Sequence, residues 1–336
     1  MRTTCALRSS NSPLMSFSFA TKPKGASFEM VGDHKFMWNI LATDCEFGPD
    51  GAFYISDWVD GWNINGKGRI YKVSDAEAMK NPTVAEAKKL LAEGMEKKSV
   101  EELLKLLGHP HRGVRMEVQF ALIAKGAKVV PEIVRFESKT VDRISRLHAI
   151  WTLAIIRRNW KFGDDQAVAD GRLRELLKDP DIEIRGNAAQ SGSFGYSELV
   201  PLLNDPDTRV RMMAAIGIVN DSSRELSSNR AVRADAICPA VFKMLRENDN
   251  RDAYLRHVGA EVLAQEIDWR HIMDAANDKS SAVRLAVVVS FRKAKSDSIA
   301  IFLNDTDPKV VAEAARAIND ELIVAAMPKL AALITK

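Results

Sequence analysis

The sequence predicts a mostly α-helical chain, an α-solenoid of stacked helix pairs preceded by a small antiparallel β segment. Three observations predict it. A turn motif rich in aspartate and proline recurs along most of the chain, apolar residues come after each copy at helical spacing, and residues 28–74 alternate short apolar runs with glycine-containing turns.

The recurring turn reads Leu-x-Asp-Pro-Asp at Leu177–Asp181 and at Leu203–Asp207. It degrades to Leu-Gly-His-Pro-His at Leu107–His111 and to Leu-Asn-Asp-Thr-Asp at Leu303–Asp307. Aspartate accepts hydrogen bonds from the free N–H groups at a helix start, and proline suits the first helical position because its missing N–H costs nothing there. Each copy therefore predicts the end of one helix and the start of the next.

Downstream of each turn, apolar or small residues recur at i, i+4, i+7 and i+8, which predicts one buried stripe per helix. The stripes are Val114, Val118, Ala121 and Leu122; Val210, Ala214, Gly217 and Ile218; Val283, Val287, Ser290 and Phe291; and Val310, Ala314, Ala317 and Ile318. The aligned copies fall at Arg115, Arg146, Arg185, Arg211, Arg256, Arg284 and Val311. Their spacing of about 26 to 45 residues is typical of stacked helix pairs.

These copies resemble HEAT repeats. In that family, an Asp and an Arg placed like Asp205 and Arg211 form a polar ladder between neighbouring repeats. The resemblance implies ladder or capping roles for Asp179, Arg185, Asp205, Arg211, Asp278 and Arg284.

Four parts are predicted: an irregular lead-in at 1–27, a β segment at 28–74, a linker helix at 75–98 and helical repeats at 99–336. The lead-in is rich in Ser, Thr, Lys and Pro, and we expect at most one strand there, at Met15–Ala20. The β segment has about four strands. Gly94 ends the linker helix, and Ser99 with Glu102 forms a capping box that opens the repeats.

Composition describes a globular chain and names no partner. Of 336 residues, 46% are hydrophobic and 28% charged, which is ample for a core. The net charge of +3 comes from nearly balanced acids and bases, so the overall charge does not favour binding to nucleic acid or to an anionic membrane. The three cysteines form neither C-x-x-C nor C-x-x-C-H, which argues against a zinc knuckle or a c-type haem site in this sequence. No stretch has the pattern of a signal peptide or a membrane span.

The β segment carries a second resemblance, because Asp44–Trp58 is similar to the inner hairpin of a blade from the sugar-dehydrogenase-like propellers. The blade motifs are Thr43-Asp44, Phe47-Gly-Pro-Asp-Gly51, Ser56-Asp-Trp58, Gly61-Trp62 and Gly66-Lys-Gly-Arg-Ile-Tyr71. Joined directly to HEAT-like repeats, they resemble the membrane-bound dehydrogenases of planctomycetes and verrucomicrobia over about residues 16–336. Those proteins combine a propeller, HEAT repeats and a C-terminal cytochrome c-type domain.

The second resemblance implies a redox parent protein, periplasmic or membrane-associated, with a c-type haem and a quinone or Ca²⁺ in the full-length family. A propeller needs about four to eight blades, so we expect this chain to be part of a larger protein. The expected function is a non-catalytic scaffold, made of the final blade and a HEAT spacer. Two alternatives stay open: a free-standing HEAT module that binds a protein on its concave face, and a HEAT-like nucleic-acid binder.

Four carboxylates lie close together in the β segment, at Asp44, Asp50, Asp57 and Asp60. Oxygen ligands of this kind can hold Ca²⁺, and in a propeller Asp44 and Asp57 would point at the central channel. The alternative is structural, since Asp50 belongs to a Gly-Pro-Asp-Gly turn and such residues bond to their own backbone. The turn chemistry favours the structural role.

Two further groups of residues have a functional and a structural interpretation. His109 and His111 would be half a metal site, but they occupy the positions of the two aspartates in the repeated turn, which favours capping. The most basic stretch contains Arg143, Arg146, Arg157, Arg158 and Lys161, interleaved with Trp151 and Trp160. Nucleic-acid binding is the functional interpretation. The near-neutral charge favours a solvated face, with Trp151 on the predicted buried stripe.

Overall fold

In the computed structural model, residues 3–8, 15–59, 66–159, 163–191, 194–220, 230–266 and 269–335 are described. They form two compact units, Met1–Ala169 and Asp170–Lys336. The chain is mostly helical, with two small antiparallel sheets in the first unit. Within the described ranges, no helix combines the length and apolar character needed to cross a bilayer.

The first sheet has three antiparallel strands, β1 (Thr3–Arg8), β2 (Met15–Lys24) and β3 (Ser27–Trp38), in the order β1-β2-β3. A tight turn at Gly25, where φ is +56°, joins β2 to β3. The expected irregular lead-in at 1–27 is therefore strand for most of its described length. Its polar composition was misleading, because a strand paired on both sides satisfies its backbone groups through the sheet ladder whatever its side chains are.

The second sheet contains β4 (Ala42–Phe47), β5 (Phe53–Asp57) and β6 (Arg69–Val73), also antiparallel and in sequence order. Between β4 and β5, Gly51 has φ of +77°, and Asp50 Oδ1 accepts the Ala52 N–H at 3.2 Å. The β segment at 28–74 was predicted as one group of about four strands, but β3 belongs to the first sheet. The pairing of β3 could not be assigned from residue type, because the neighbouring strands of either sheet offer apolar partners.

The first unit continues with helices, among which the predicted stop at Gly94 and the predicted capping box of Ser99 and Glu102 are present, while the linker helix is shorter than the predicted range 75–98. The linker helix α1 (Pro82–Glu93) is capped by Asn81 and ends at Gly94, where φ is +75°. Helix α2 (Val100–Leu106) begins with the predicted capping box, in which the Ser99 N–H donates to Glu102 at 2.8 Å. The remaining helices that begin in this unit are α3 (Arg112–Lys125), α4 (Val130–Lys139), α5 (Arg143–Asn159) and α6 (Asp164–Leu176).

The second unit contains nine further helices in its described residues. They are α7 (Ile182–Gln190), α8 (Tyr196–Leu199), α9 (Thr208–Val219), α10 (Arg230–Asn248), α11 (Ala253–Glu266), α12 (Trp269–Ala276), α13 (Ser281–Ala294), α14 (Pro308–Asp320) and α15 (Met327–Ala331). Short 3₁₀ turns at Val200–Asn204 and Asp297–Asn304 precede α9 and α14.

Within each unit, the helices that follow the repeated turns pack against one another in succession. In the first unit α3 packs on α5, and in the second α7, α9, α11, α13 and α14 pack in succession. We call these helices the ladder row. Their predicted stripes form the core: Val114, Val118, Leu122, Val210, Ala214, Ile218, Val283, Val287, Val310, Ala314, Ala317 and Ile318 are buried.

Close helix packing at Gly217 predicts a large effect of one added methyl group. A Cβ there would overlap the Ala189 carbonyl oxygen, which is backbone and cannot move aside. Gly217→Ala should therefore cost about 2 kcal/mol of unfolding free energy in urea titrations. The matched control is Gly171→Ala in α6, where a Cβ meets no neighbour within 4 Å and should stabilise the helix by about 0.5 kcal/mol. Equal effects would contradict the packing.

Candidate functional site

In the repeated turns that carry two aspartates, the two residues have separate tasks. At the turn before α9, Asp205 Oδ1 accepts the Asp207 N–H at 2.9 Å, while Asp207 Oδ1 accepts the Arg209 N–H at 2.8 Å. The turn before α14 repeats the geometry, with Asp305 accepting from Asp307 at 2.8 Å and Asp307 from Lys309 at 2.9 Å. The first aspartate closes the turn and the second caps the helix.

The first aspartate also receives the arginine of the preceding copy. Arg185 donates to both carboxylate oxygens of Asp205, at 2.8 and 3.1 Å, and to the Asp179 carbonyl of its own turn. Arg284 repeats this with Asp305, at 2.7 and 2.8 Å, and donates to the Asp278 carbonyl at 2.6 Å. Each arginine therefore links the turn that starts its own helix to the turn that starts the next one.

These pairs are shielded from water, and the pKa values of Arg284 and Asp305 shift as a result. The side chains of Arg185 and Asp205 are 13% and 7% exposed. The hydrogen bond with Asp305 raises the pKa of Arg284 above its ordinary value. Burial alone would raise the pKa of Asp305, but hydrogen bonds from Arg284 and the Asp307 N–H together lower it. Both partners are held in their charged forms.

The remaining predicted ladder residues vary the scheme. Arg211 donates to the Asp205 carbonyl of its own turn, but across to the next copy its partner is Glu247, at 2.7 Å. Asp278 accepts the Ser280 N–H at 2.8 Å and is bound by Arg246 at 3.0 Å. Asp179 accepts the Asp181 N–H at 2.9 Å. All six residues named from the sequence thus lie in the repeated turns or on the arginine bridges.

In the repeated turn of the first unit that precedes α3, His109 and His111 occupy the positions of the two aspartates. The His111 N–H donates to His109 Nδ1 at 3.0 Å, so the imidazole closes the turn as the carboxylate does elsewhere. His111 makes no side-chain bond to the start of α3, so its predicted capping role is not seen. Because Nδ1 of His109 is already an acceptor, Nε2 carries the proton. A protonated Nε2 has no free lone pair for a metal ion, which disfavours the metal interpretation. Nε2 instead lies 3.8 Å from Glu86 Oε2.

In the first unit, the arginine bridge between repeats ends on a second histidine, His148. Arg115 Nε donates to His148 Nε2 at 3.1 Å, and His148 Nδ1 lies 2.8 Å from Gln119 Oε1. Nε2 can accept only if it is unprotonated, so Nδ1–H donates to the amide. Burial, reinforced by the nearby Arg115 charge, lowers the pKa of His148 from 6.5 to about 4. His148 is therefore neutral at neutral pH.

The described aspartates of the β segment bond to backbone N–H groups or to neighbouring side chains. Asp57 is buried, and its Oδ1 accepts the N–H groups of Leu41 at 2.9 Å and Val59 at 3.2 Å. Asp44 is exposed and accepts the Cys45 N–H at 2.7 Å. Asp50 bonds to Lys72 and to the Tyr54 hydroxyl, while Asp60 lies outside the described residues. Across the described part of the chain, no three potential metal-ligating side chains cluster together.

The basic stretch on α5 is only partly as predicted. Arg146 donates to the buried Glu137 at 2.7 Å. Trp151 was predicted on the buried stripe but is 37% exposed, and its ring packs edge-on against His148 with the centroids 4.9 Å apart. Trp160, Lys161 and the Gly61-Trp62 motif lie outside the described residues.

An exposed aromatic pair was missed from the sequence. Phe120 is 51% exposed, and it lies five residues after Arg115, as Trp151 lies five residues after Arg146. The two rings occupy the same repeat position on consecutive packed helices, α3 and α5. We call Phe120 and Trp151 the aromatic pair. The arginine alignment contained the signal, because one position of a repeated helix faces the same direction in every copy.

Comparison with known proteins adds no family. No protein-family model matches the chain, and no curated protein is significantly similar to it.

The Arg185–Asp205 bridge predicts a loss of stability when one partner is removed. Arg185→Ala should lower the unfolding free energy by about 3 kcal/mol, because a shielded carboxylate is left without its charge partner. Arg185→Lys should recover only part of this loss, since an ammonium cannot form the two-pronged contact. Urea unfolding followed by circular dichroism measures both.

The control for this prediction is Lys80→Ala, which removes an exposed pair with Glu77 and should leave stability unchanged within error. Asp205→Asn preserves the turn acceptor but removes the charge, so it should be destabilising while the turn remains. If Arg185→Ala behaved like Lys80→Ala, the bridge would not hold the repeats together.

His148 predicts a pH dependence of stability. Its folded pKa of about 4 lies below the ordinary 6.5, so the unfolded chain takes up the proton first as the pH falls. The contribution of neutral His148 is complete above pH 6.5 and is lost as the pH falls toward 4. Between pH 7 and 5.5 the loss should be about 1 kcal/mol. His148→Gln should remove this dependence, whereas the control His257→Gln, at an exposed position, should leave it intact.

Proposed function

We propose that this chain is a non-catalytic protein-binding scaffold, a HEAT-like α-solenoid that presents the aromatic pair to a protein partner. The succession of packed helices in the ladder row and the arginine bridges support the solenoid. The aromatic pair supports the binding role, because aromatic side chains are enriched in the energetically important centres of protein interfaces.

The single observation that carries the proposal is a comparison within the chain itself. Five residues after the aligned arginine position, three of the other five copies carry polar residues, Gln190, Glu261 and Arg316, while two carry the aliphatic Ile216 and Val289. The fold therefore accepts a polar side chain at this position. Folding alone does not require Phe120 and Trp151, and a contact with another molecule gives them a reason to be aromatic.

The resemblance to the planctomycete and verrucomicrobial dehydrogenases gives this scaffold a wider setting. We propose that the chain acts as the last blade and HEAT spacer of a redox protein, holding other parts of the parent chain at a fixed separation. The c-type haem and the quinone would belong to those parts. A Ca²⁺ ion on Asp44 and Asp57 is less favoured, because Asp44 and Asp57 Oδ1 accept backbone N–H groups and Asp57 Oδ2 lies 3.6 Å from Arg69 Nε.

A photo-cross-linking experiment tests the binding role. p-Benzoylphenylalanine at position 120 or 151, in the protein expressed in its source cells, should form adducts with the same protein or with the same part of a longer parent chain. The control position is Val141, which is 97% exposed and lies in the same unit. Once the partner is identified, Trp151→Ala should weaken its binding about tenfold, a typical effect for an interface aromatic.

Two outcomes would contradict the proposal. Equal adducts from position 141 would show that the aromatic pair has no special role. Adducts with nucleic acid alone, with affinity that falls steeply as salt is raised, would favour the nucleic-acid alternative. As a separate check on the absence of catalysis, the purified chain should not reduce an artificial electron acceptor with sugars or alcohols as donors.

A further inference from the structure

The second sheet carries an apolar cavity that the proposed scaffold role does not use. Its volume is about 730 Å³, within the range of small-molecule sites. Phe47, Phe53 and Val73 lie opposite one another on β4, β5 and β6, so their side chains form one row on one face of the sheet. This row is the apolar wall of the cavity.

A third phenylalanine extends this wall. Phe36 of β3 meets Phe53 edge to face, with ring centroids 5.8 Å apart, and Phe47 packs on Phe53 at 4.9 Å. Phe47 and Phe36 nevertheless remain 60% and 36% exposed. The rings are therefore fixed by one another and by paired strands, yet they leave much of their apolar surface open toward the cavity. A flat ring stacking on them would gain apolar contact without requiring the wall to reorganise.

The rim is polar and slightly acidic. Glu46 and Arg112 form an ion pair at 3.0 Å, which neutralises both charges. Asp75 uses Oδ1 to accept the N–H groups of Glu77 at 2.8 Å and Ala78 at 3.2 Å. Its negative charge has no compensating cation among the residues that line the cavity. This balance disfavours an anion and suits a molecule with a hydrogen-bond donor.

We propose that this cavity is a binding site for a small, planar, uncharged aromatic molecule that carries an N–H or O–H donor. The aromatic row binds the ring system, and the rim carboxylates accept the donor. The apolar wall lies on strands, and the lining includes Arg112 at the start of α3 but neither residue of the aromatic pair, so the site does not depend on that pair.

Fluorescence titration with N-phenylnaphthylamine, a neutral aromatic amine, tests the site on the full chain. Saturable binding with one site per chain is expected. Phe47→Ala should weaken it about tenfold, which corresponds to about 1.4 kcal/mol, because one wall of the ring site is removed. The matched control is Ile70→Ala. Ile70 is 75% exposed on β6 and does not line the cavity, so its loss should leave the affinity unchanged.

A second measurement is independent of the probe's fluorescence. Cys45 lines the same cavity, so saturating N-phenylnaphthylamine should slow alkylation of its thiol by N-ethylmaleimide, followed by peptide mass mapping. Circular dichroism of Phe47→Ala should match the parent chain. Equal weakening by Ile70→Ala, an absence of saturation, or dimerisation that Phe47→Ala abolishes would each overturn the proposal, the last by making the cavity an interface between two copies.

Discussion

A guanidinium that reaches from one repeat to the turn of the next is the interaction on which the rest of the helical region depends. Arg185 and Arg284 each bind a carbonyl of their own turn and both oxygens of the next copy's aspartate. A shielded charge is costly unless it is paired and hydrogen-bonded, so neither partner can move away alone. The bridge thereby fixes the register between neighbouring helices, while the apolar stripes supply most of the burial.

The same aspartate serves the turn and the bridge, which couples local to long-range structure. Asp205 Oδ1 accepts the Asp207 N–H and also one arm of Arg185. The hydrogen bond within the turn orients this carboxylate, so that it faces Arg185 as an acceptor held by local structure. Where His148 replaces the carboxylate, Arg115 still binds a carbonyl of its own turn, but it donates to one nitrogen of a neutral ring whose pKa is about 4. The bridge of the first unit is therefore sensitive to acid in a way that the Arg–Asp bridges are not.

Much of this arrangement could be predicted from sequence because it is local and repeated. Caps, capping box, helix stops and buried stripes can be derived from residue type and spacing, and the repeat alignment identified the arginines and several of the aspartates that form the bridges. Strand partners could not be predicted in the same way. Nothing in Ser27–Trp38 specifies whether this strand pairs with β2 or with β4, since register depends on contacts remote in sequence. The bridging roles of Glu247 and His148 were also hidden, because neither residue is an aspartate in a repeated turn.

Exposed aromatic residues indicate function most clearly at positions where the fold would also accept a smaller or polar side chain. In the ladder row the requirement can be read from the other copies, and it is met by Gln190 or Glu261 as well as by an aromatic ring. On the second sheet the requirement comes from strand pairing, which a threonine or valine at position 47 would meet as well as Phe47 does. In both places the side chains are aromatic and roughly half exposed, and contact between aromatic surface and water is unfavourable. A molecule that covers these rings would remove their apolar surface from water, which is favourable. Binding therefore explains the presence of these rings better than folding does.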